Sequence, residues 1–154
     1  MATETRFTPL VAVVSFNHLR GQELEHWFGV EDGSDPTTEN GWELIPYMAL
    51  PDGAHQSEEE FSYFSLVYKG KSGSDVEATS VFGISCMQQI PADSLLWKGP
   101  DVTRSSVQKA VVAIIDQPER FSKLREKLSV VTRAWFGQRD FRDTELLQVG
   151  QWLR

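Results

Sequence analysis

An α+β domain, with a five-stranded mixed or antiparallel sheet between helices, is the fold this sequence predicts, on three observations. Residues 10–17, 81–87 and 107–115 are near-continuous apolar runs rich in β-branched side chains, the pattern of strands covered on both faces. From residue 121 the apolar period changes to three and four, through Phe121, Leu124, Leu128, Val131 and Trp135. Between these regions lies Trp42-Glu43-Leu44-Ile45-Pro46-Tyr47-Met48-Ala49-Leu50, an apolar segment with no polar face. It predicts a short helix covered on every side.

Taken in order, the first apolar run at 10–17 is followed by a hairpin partner at 22–28, turned through Gly21. Strict alternation places Leu24, His26 and Phe28 on one face of that partner and Glu23, Glu25 and Trp27 on the other. Residues 29–41, acidic and rich in glycine and serine, read as a loop. Pro46 is tolerable only in a first helical turn, so the short helix is expected to begin at Trp42 or Glu43. The run Pro51-Asp52-Gly53 ends it in a tight corner. A strand follows at 61–68, then a polar hairpin loop at 69–77 and the two remaining apolar strands. The insert 90–100, broken by Pro91, Gly99 and Pro100, is expected to pack over a sheet edge. Asp116 with Glu119 suggests a capping box for the long helix and Gly137 its stop. Asp143 is the expected cap of a last helix running to Leu153. The order is strand, strand, helix, three strands, two helices, in three layers and one domain over residues 1–154.

Composition narrows the functional classes. A length of 154 residues buries roughly 70% of the unfolded surface, enough for a core without staples. The net charge of −7 argues against nucleic acid and against an anionic membrane as partner. The lone cysteine, Cys86, forms no internal disulfide, and a reducing, cytoplasmic setting is expected. No apolar run reaches the roughly 20 residues of a transmembrane helix.

Chemistry is sparse. Gly83-Ile84-Ser85-Cys86-Met87 begins like a nucleophile elbow, but Met87 stands where the second glycine is required and the strand has to continue. Cys86 shares a strand face with Phe82, Ile84 and Ile90 and reads as core. His18, His26 and His55 share no ligand spacing, so neither a metal nor a cofactor is expected. Asp52 and His55 lie three apart, but an Asp after a turn proline more often bonds its own backbone. Glu58, Glu59 and Glu60 point in alternating directions and read as a solvated face. Arg104, Lys109, Arg139 and Arg142 read first as solubilising charges and second as a grip for an acidic partner.

Several ordered motifs say more together than any does alone. Leu50-Pro51-Asp52-Gly53-Ala54-His55, Phe61-Ser62-Tyr63-Phe64, Val81-Phe82-Gly83-Ile84-Ser85-Cys86, Asp101-Val102-Thr103-Arg104 and Val107-Gln108-Lys109 resemble, in sequence and spacing, the start of the Avl-type late-secretory-pathway proteins of the DENN-domain superfamily. The resemblance covers residues 10 to 152. It implies a longin-like fold, the upstream module of a DENN protein, with the first two and last three strands meeting at the sheet centre. The short helix is then expected on one face and the last two on the other. It further implies a whole protein continuing beyond residue 154 into a central DENN segment, the two together holding a small GTPase of the Rab, Arf or Rho type and opening its nucleotide site. The chain alone is expected to run no reaction. Peripheral association with secretory-pathway membranes is implied as well, and an adaptor or tether without exchange activity is the alternative. Expected docking residues are Pro51, Asp52, Gly53 and His55 at the corner, Phe61 and Tyr63 on the following strand, and Arg104. Trp27, Trp97 and Trp152, if bare, predict a homodimer.

Overall fold

The structure, a computed structural model, describes residues 7–51, 58–70, 77–148 and 152–153. Five strands form one sheet: β1 (Leu10–Asn17), β2 (Gly21–Phe28), β3 (Glu59–Tyr68), β4 (Thr79–Pro91) and β5 (Ser106–Ile115). Their order is β2-β1-β5-β4-β3 and every pairing is antiparallel. The three apolar runs are the three inner strands, because only a strand flanked by neighbours and covered on both faces can bury every side chain. The first two and last three strands meet where β1 pairs with β5, Leu10 opposite Ile114, as the family resemblance implied.

Alternation divides the core into two layers. Leu10, Ala12, Val14, Ala110, Val112, Ile114, Val81 and Met87 face the short helix α2 (Ile45–Ala49). Val11, Val13, Val111, Ala113, Ile115, Ile84 and Cys86 face the long helix α3 (Phe121–Gly137). α3 sends Leu124, Leu128, Thr132, Trp135 and Phe136 into this layer. None of its 17 residues interrupts the spacing that keeps them on one stripe.

Local structure departs from the sequence expectation at five places. β2 carries a bulge: Val13 pairs with His26 and Val14 with Leu24, leaving Glu25 as the extra residue. The insertion reverses the alternation, so Leu24 and Trp27 pack on the α2 side while Phe28 packs on the α3 side. The acidic loop 29–41 contains a helix, α1 (Pro36–Asn40). Asp35 caps it by accepting from the Thr37 N–H at 3.1 Å, Pro36 sits in the first turn, and Gly41 leaves it at φ 71°.

α2 begins at Ile45, later than predicted, with Pro46 in its first turn. It is not covered on every side: Ile45, Ala49 and Leu50 are buried, whereas Leu44 and Tyr47 are 65% and 56% exposed. α3 has no capping box; a 3-10 turn at Pro118–Arg120 leads into it and no side chain caps Arg120. The insert lines a cleft with edge strand β2, as expected, and its Leu96 N–H donates to the Arg139 carbonyl, just beyond α3, at 2.8 Å. Of the last predicted helix the described residues show a 3-10 turn at Glu145–Leu147, with Asp143 accepting from the Glu145 N–H at 3.1 Å, and a helical Trp152. Among the described residues no helix is long and apolar enough to cross a membrane.

Candidate docking surfaces

Ser85 and Cys86, the two nucleophiles of the elbow-like run, are both set in packed structure. Ser85 lies on the α2 face of β4, fully buried, and its hydroxyl donates to the Ala49 carbonyl at 2.8 Å. The bond ties the end of α2 to the sheet. Ser85→Ala is therefore expected to cost about 1–3 kcal/mol, the penalty for leaving that carbonyl unpaired, measurable by urea unfolding followed by circular dichroism.

Cys86 faces the opposite layer and is likewise buried. Burial first, and then the neighbouring Glu59 carboxylate, push its thiol up to about 12. The thiol is therefore protonated near neutral pH and a poor nucleophile. The native protein is expected to react with Ellman's reagent far more slowly than the urea-unfolded chain; equal rates would contradict this burial. Since the folded value exceeds the unfolded one, the contribution to stability is complete below the unfolded pKa of about 8.5 and is lost as pH rises toward the folded value.

Glu59 is not simply a solvated acid. Its Oε2 accepts from Gln88 Nε2 and Ser129 Oγ, each at 2.8 Å, and Arg133 lies 3.8 Å away. The carboxylate thus joins β3, β4 and α3. His18 is also structural: its Nδ1 accepts from the Thr103 and Arg104 N–H groups at 2.9 and 3.0 Å. That leaves Nε2 to carry the hydrogen and to donate to the Ser106 carbonyl at 3.0 Å. The imidazole pins the Asp101-Val102-Thr103-Arg104 segment to the end of β1. His26 is exposed, 3.9 Å from Glu25. Among the described residues no group of three or more histidine, cysteine or acidic side chains is placed to hold a metal.

A cleft of about 330 Å³ lies at the ends of β1, β2 and β5. Lys109 and Glu25 form an ion pair in its wall, and Lys109 Nζ sits 4.9 Å from the Phe141 ring centre. Arg20 pairs with Glu23 at 2.8 Å, and Arg142 pairs with Asp140 at 2.8 Å while stacking 4.5 Å from the Trp97 ring centre. The Arg142 guanidinium holds the Asp140 carboxyl below its ordinary value, and the pairing raises Arg142. These charges satisfy each other across the cleft, leaving little unmatched chemistry for a ligand.

The predicted docking residues fall in separate places. Asp52, Gly53 and His55 lie outside the described residues. Pro51 is exposed directly after α2, where the Leu50 carbonyl accepts from Gln22 Nε2 at 3.1 Å. Phe61 and Tyr63 lie across the sheet on edge strand β3, on its α3 face. There Arg125 stacks 4.3 Å from the Phe61 ring centre, and Tyr63 meets Phe121 at 5.6 Å. Arg104 lies near the opposite edge, 5.1 Å from the Phe16 ring centre. No single patch includes them all. Of the tryptophans expected to drive dimerisation, Trp152 is buried and Trp27 is half-buried, its Nε1 donating to Thr37 Oγ1 at 3.0 Å. Only Trp97 is broadly exposed, at 44%.

Leu44 and Tyr47 were not anticipated. Three residues apart, at the N-cap and within α2, both turn to solvent and form an apolar ridge. Pro46 between them was the available signal: it fixes the first turn, and hence which residues of an all-apolar segment must turn outward.

The comparisons agree with the resemblance to Avl-type proteins. The family model described as "Transport protein Avl9" matches residues 8–151. The chain is 41% identical over 151 residues to "Late secretory pathway protein AVL9" of Saccharomyces cerevisiae, covering 90% of this chain and 19% of that protein. It is 44% identical over 138 residues to "Late secretory pathway protein avl9" of Schizosaccharomyces pombe, covering 90% of this chain and 27% of that one. It therefore spans about a fifth to a quarter of the length of these relatives. No solved structure matches it. With the family model matching nearly the whole chain at the fold just described, this chain belongs to the Avl9 family of transport proteins.

Proposed function

We propose that the chain is a longin-like, upstream DENN module, and that it acts as the protein-docking part of a membrane-trafficking regulator which opens the nucleotide site of a Rab-type GTPase. The observation that carries this reading is the Leu44 and Tyr47 ridge, large apolar side chains turned to solvent on a helix whose other residues anchor it to the sheet. Exchange requires a rigid surface that binds the nucleotide-free GTPase more tightly than the loaded one, and no covalent step. A short helix held by Ile45, Ala49 and the Ser85 bond supplies such rigidity. A central DENN segment of the whole protein would complete the platform.

The test uses the full-length protein against nucleotide-free Rab, Arf and Rho GTPases, read as capture and as GDP release. One GTPase is expected to bind preferentially without nucleotide, and Leu44→Ser with Tyr47→Ser to weaken that binding at least tenfold, the scale of two lost apolar anchors. Failure to bind any of the panel would overturn the exchange reading. Binding indifferent to nucleotide would favour an adaptor or tether.

A further inference from the structure

The net charge of −7 is unevenly distributed. No lysine or arginine occurs between Arg20 and Lys69, and the α1 and α2 layer shows Asp35, Glu39 and Glu43 to solvent. In the opposite layer the long helix is positive. α3 carries Lys123, Arg125, Lys127 and Arg133 against the single acid Glu126. Lys123, Glu126, Lys127, Val130 and Arg133 recur at three and four residues on the side away from Leu124, Leu128 and Trp135, and all are exposed. Among the described residues Lys123 and Lys127 take part in no ion pair, and Val130 is 62% exposed between them and Arg133.

We infer that the outer side of α3 is the face by which this chain lies against an anionic lipid bilayer, with its acidic layer directed away. Three features favour a membrane over an acidic peptide. The surface is the convex back of a helix: the groove beside α3, lined by Phe61, Tyr63, Phe121 and Arg125, runs along its flank, and Lys123, Lys127 and Val130 stand outside it. Its free cations are lysines, point charges on long stems that suit a diffuse field of headgroups better than a fixed carboxylate. An exposed valine among them can enter the headgroup region while the lysine stems extend around it. The acidic far layer adds orientation, because a negative surface attracts one side of the molecule and repels the other. The inference is independent of the GTPase reading: it concerns the opposite side of the sheet from Leu44 and Tyr47.

The test is co-sedimentation of the 154-residue chain with vesicles of phosphatidylcholine alone or mixed with phosphatidylserine. Binding to the anionic vesicles at low ionic strength is expected, weakening as salt is added. Lys123→Gln with Lys127→Gln should lower the partition coefficient roughly 30-fold, the effect of two lysines near such a surface. Thr38→Glu with Lys69→Gln shifts net charge by the same amount at exposed positions beside α1 on the far layer and should leave partition unchanged. Thermal melts by circular dichroism establish that both variants fold. Equal loss in the two variants would show that net charge and not this face governs binding, and would overturn the inference. So would no binding to anionic vesicles at low salt, or equal binding to both vesicle types.

Discussion

Trp135→Ala is expected to cost about 3–5 kcal/mol, a large share of the roughly 5–15 kcal/mol available to a domain of this kind. Trp135 is 1% exposed, and its ring meets Phe136 at 5.8 Å and Phe141 at 4.8 Å, both edge to face. Its Nε1 donates to the Asp143 carbonyl at 3.0 Å. The side chain thus fills the layer between α3 and the sheet and also fastens the segment that follows α3. Truncation removes both functions. Trp135→Phe separates them: the ring stays and the hydrogen bond goes. Because the Asp143 carbonyl also accepts from Gln138 Nε2 at 3.0 Å, that variant should lose only about 1 kcal/mol from the bond itself. Urea unfolding by circular dichroism measures both, and hydrogen exchange should show early release of residues 140–147 in the alanine variant. An alanine variant losing less than about 1 kcal/mol would mean that the ring is not a core side chain.

Trp135 also shows where the sequence was legible. Its place in a three-and-four spacing from Phe121 predicted its burial, and the apolar runs predicted which strands are internal. Both signals are averages over many residues, which one irregularity does not disturb. β2 shows the contrary case. The extra residue at Glu25 reverses every later side chain, and nothing in a half-polar edge strand marks the register before its partner is known. α2 failed for another reason: apolar composition constrains burial in one direction only, and a folded surface retains much apolar area. Leu44 is as apolar as Ile45 and Leu50, yet only the latter pair meets the sheet. The candidate docking site was least legible, because it depends on which distant segments come together. His18 meets Ser106 across 88 positions, and Phe61 and Arg104 lie toward opposite edges of the sheet. The resemblance carried the strand order, which periodicity alone did not supply.

A second large effect is expected where β3 crosses β4. Gly83 pairs with Phe64, whose ring lies so closely over the glycine that a Cβ there would come within 2.3 Å of Phe64 Cε2. The glycine is required by this approach, since a cross-strand aromatic is covering backbone that carries no side chain. Gly83→Val must therefore displace the ring. Phe64 is half-buried on an edge strand, so the ring is free to swing outward and the main chain need not break. The expected cost is about 2–4 kcal/mol, set by the loss of aromatic packing over the α2 layer. Phe64→Ala alone should cost about 3 kcal/mol, because it leaves the same area uncovered. Combined, the valine occupies the space that the phenyl ring vacated, and the double variant should be more stable than the sum of the two losses by about 1–3 kcal/mol. Strict additivity would show that the ring does not rest on Gly83. The coupling has a functional side too. Phe64 packs with the α2 layer while Tyr63 beside it faces the α3 groove, so displacing the ring disturbs the edge strand that carries two of the proposed docking residues. Full-length Gly83→Val should accordingly lose partner capture together with stability.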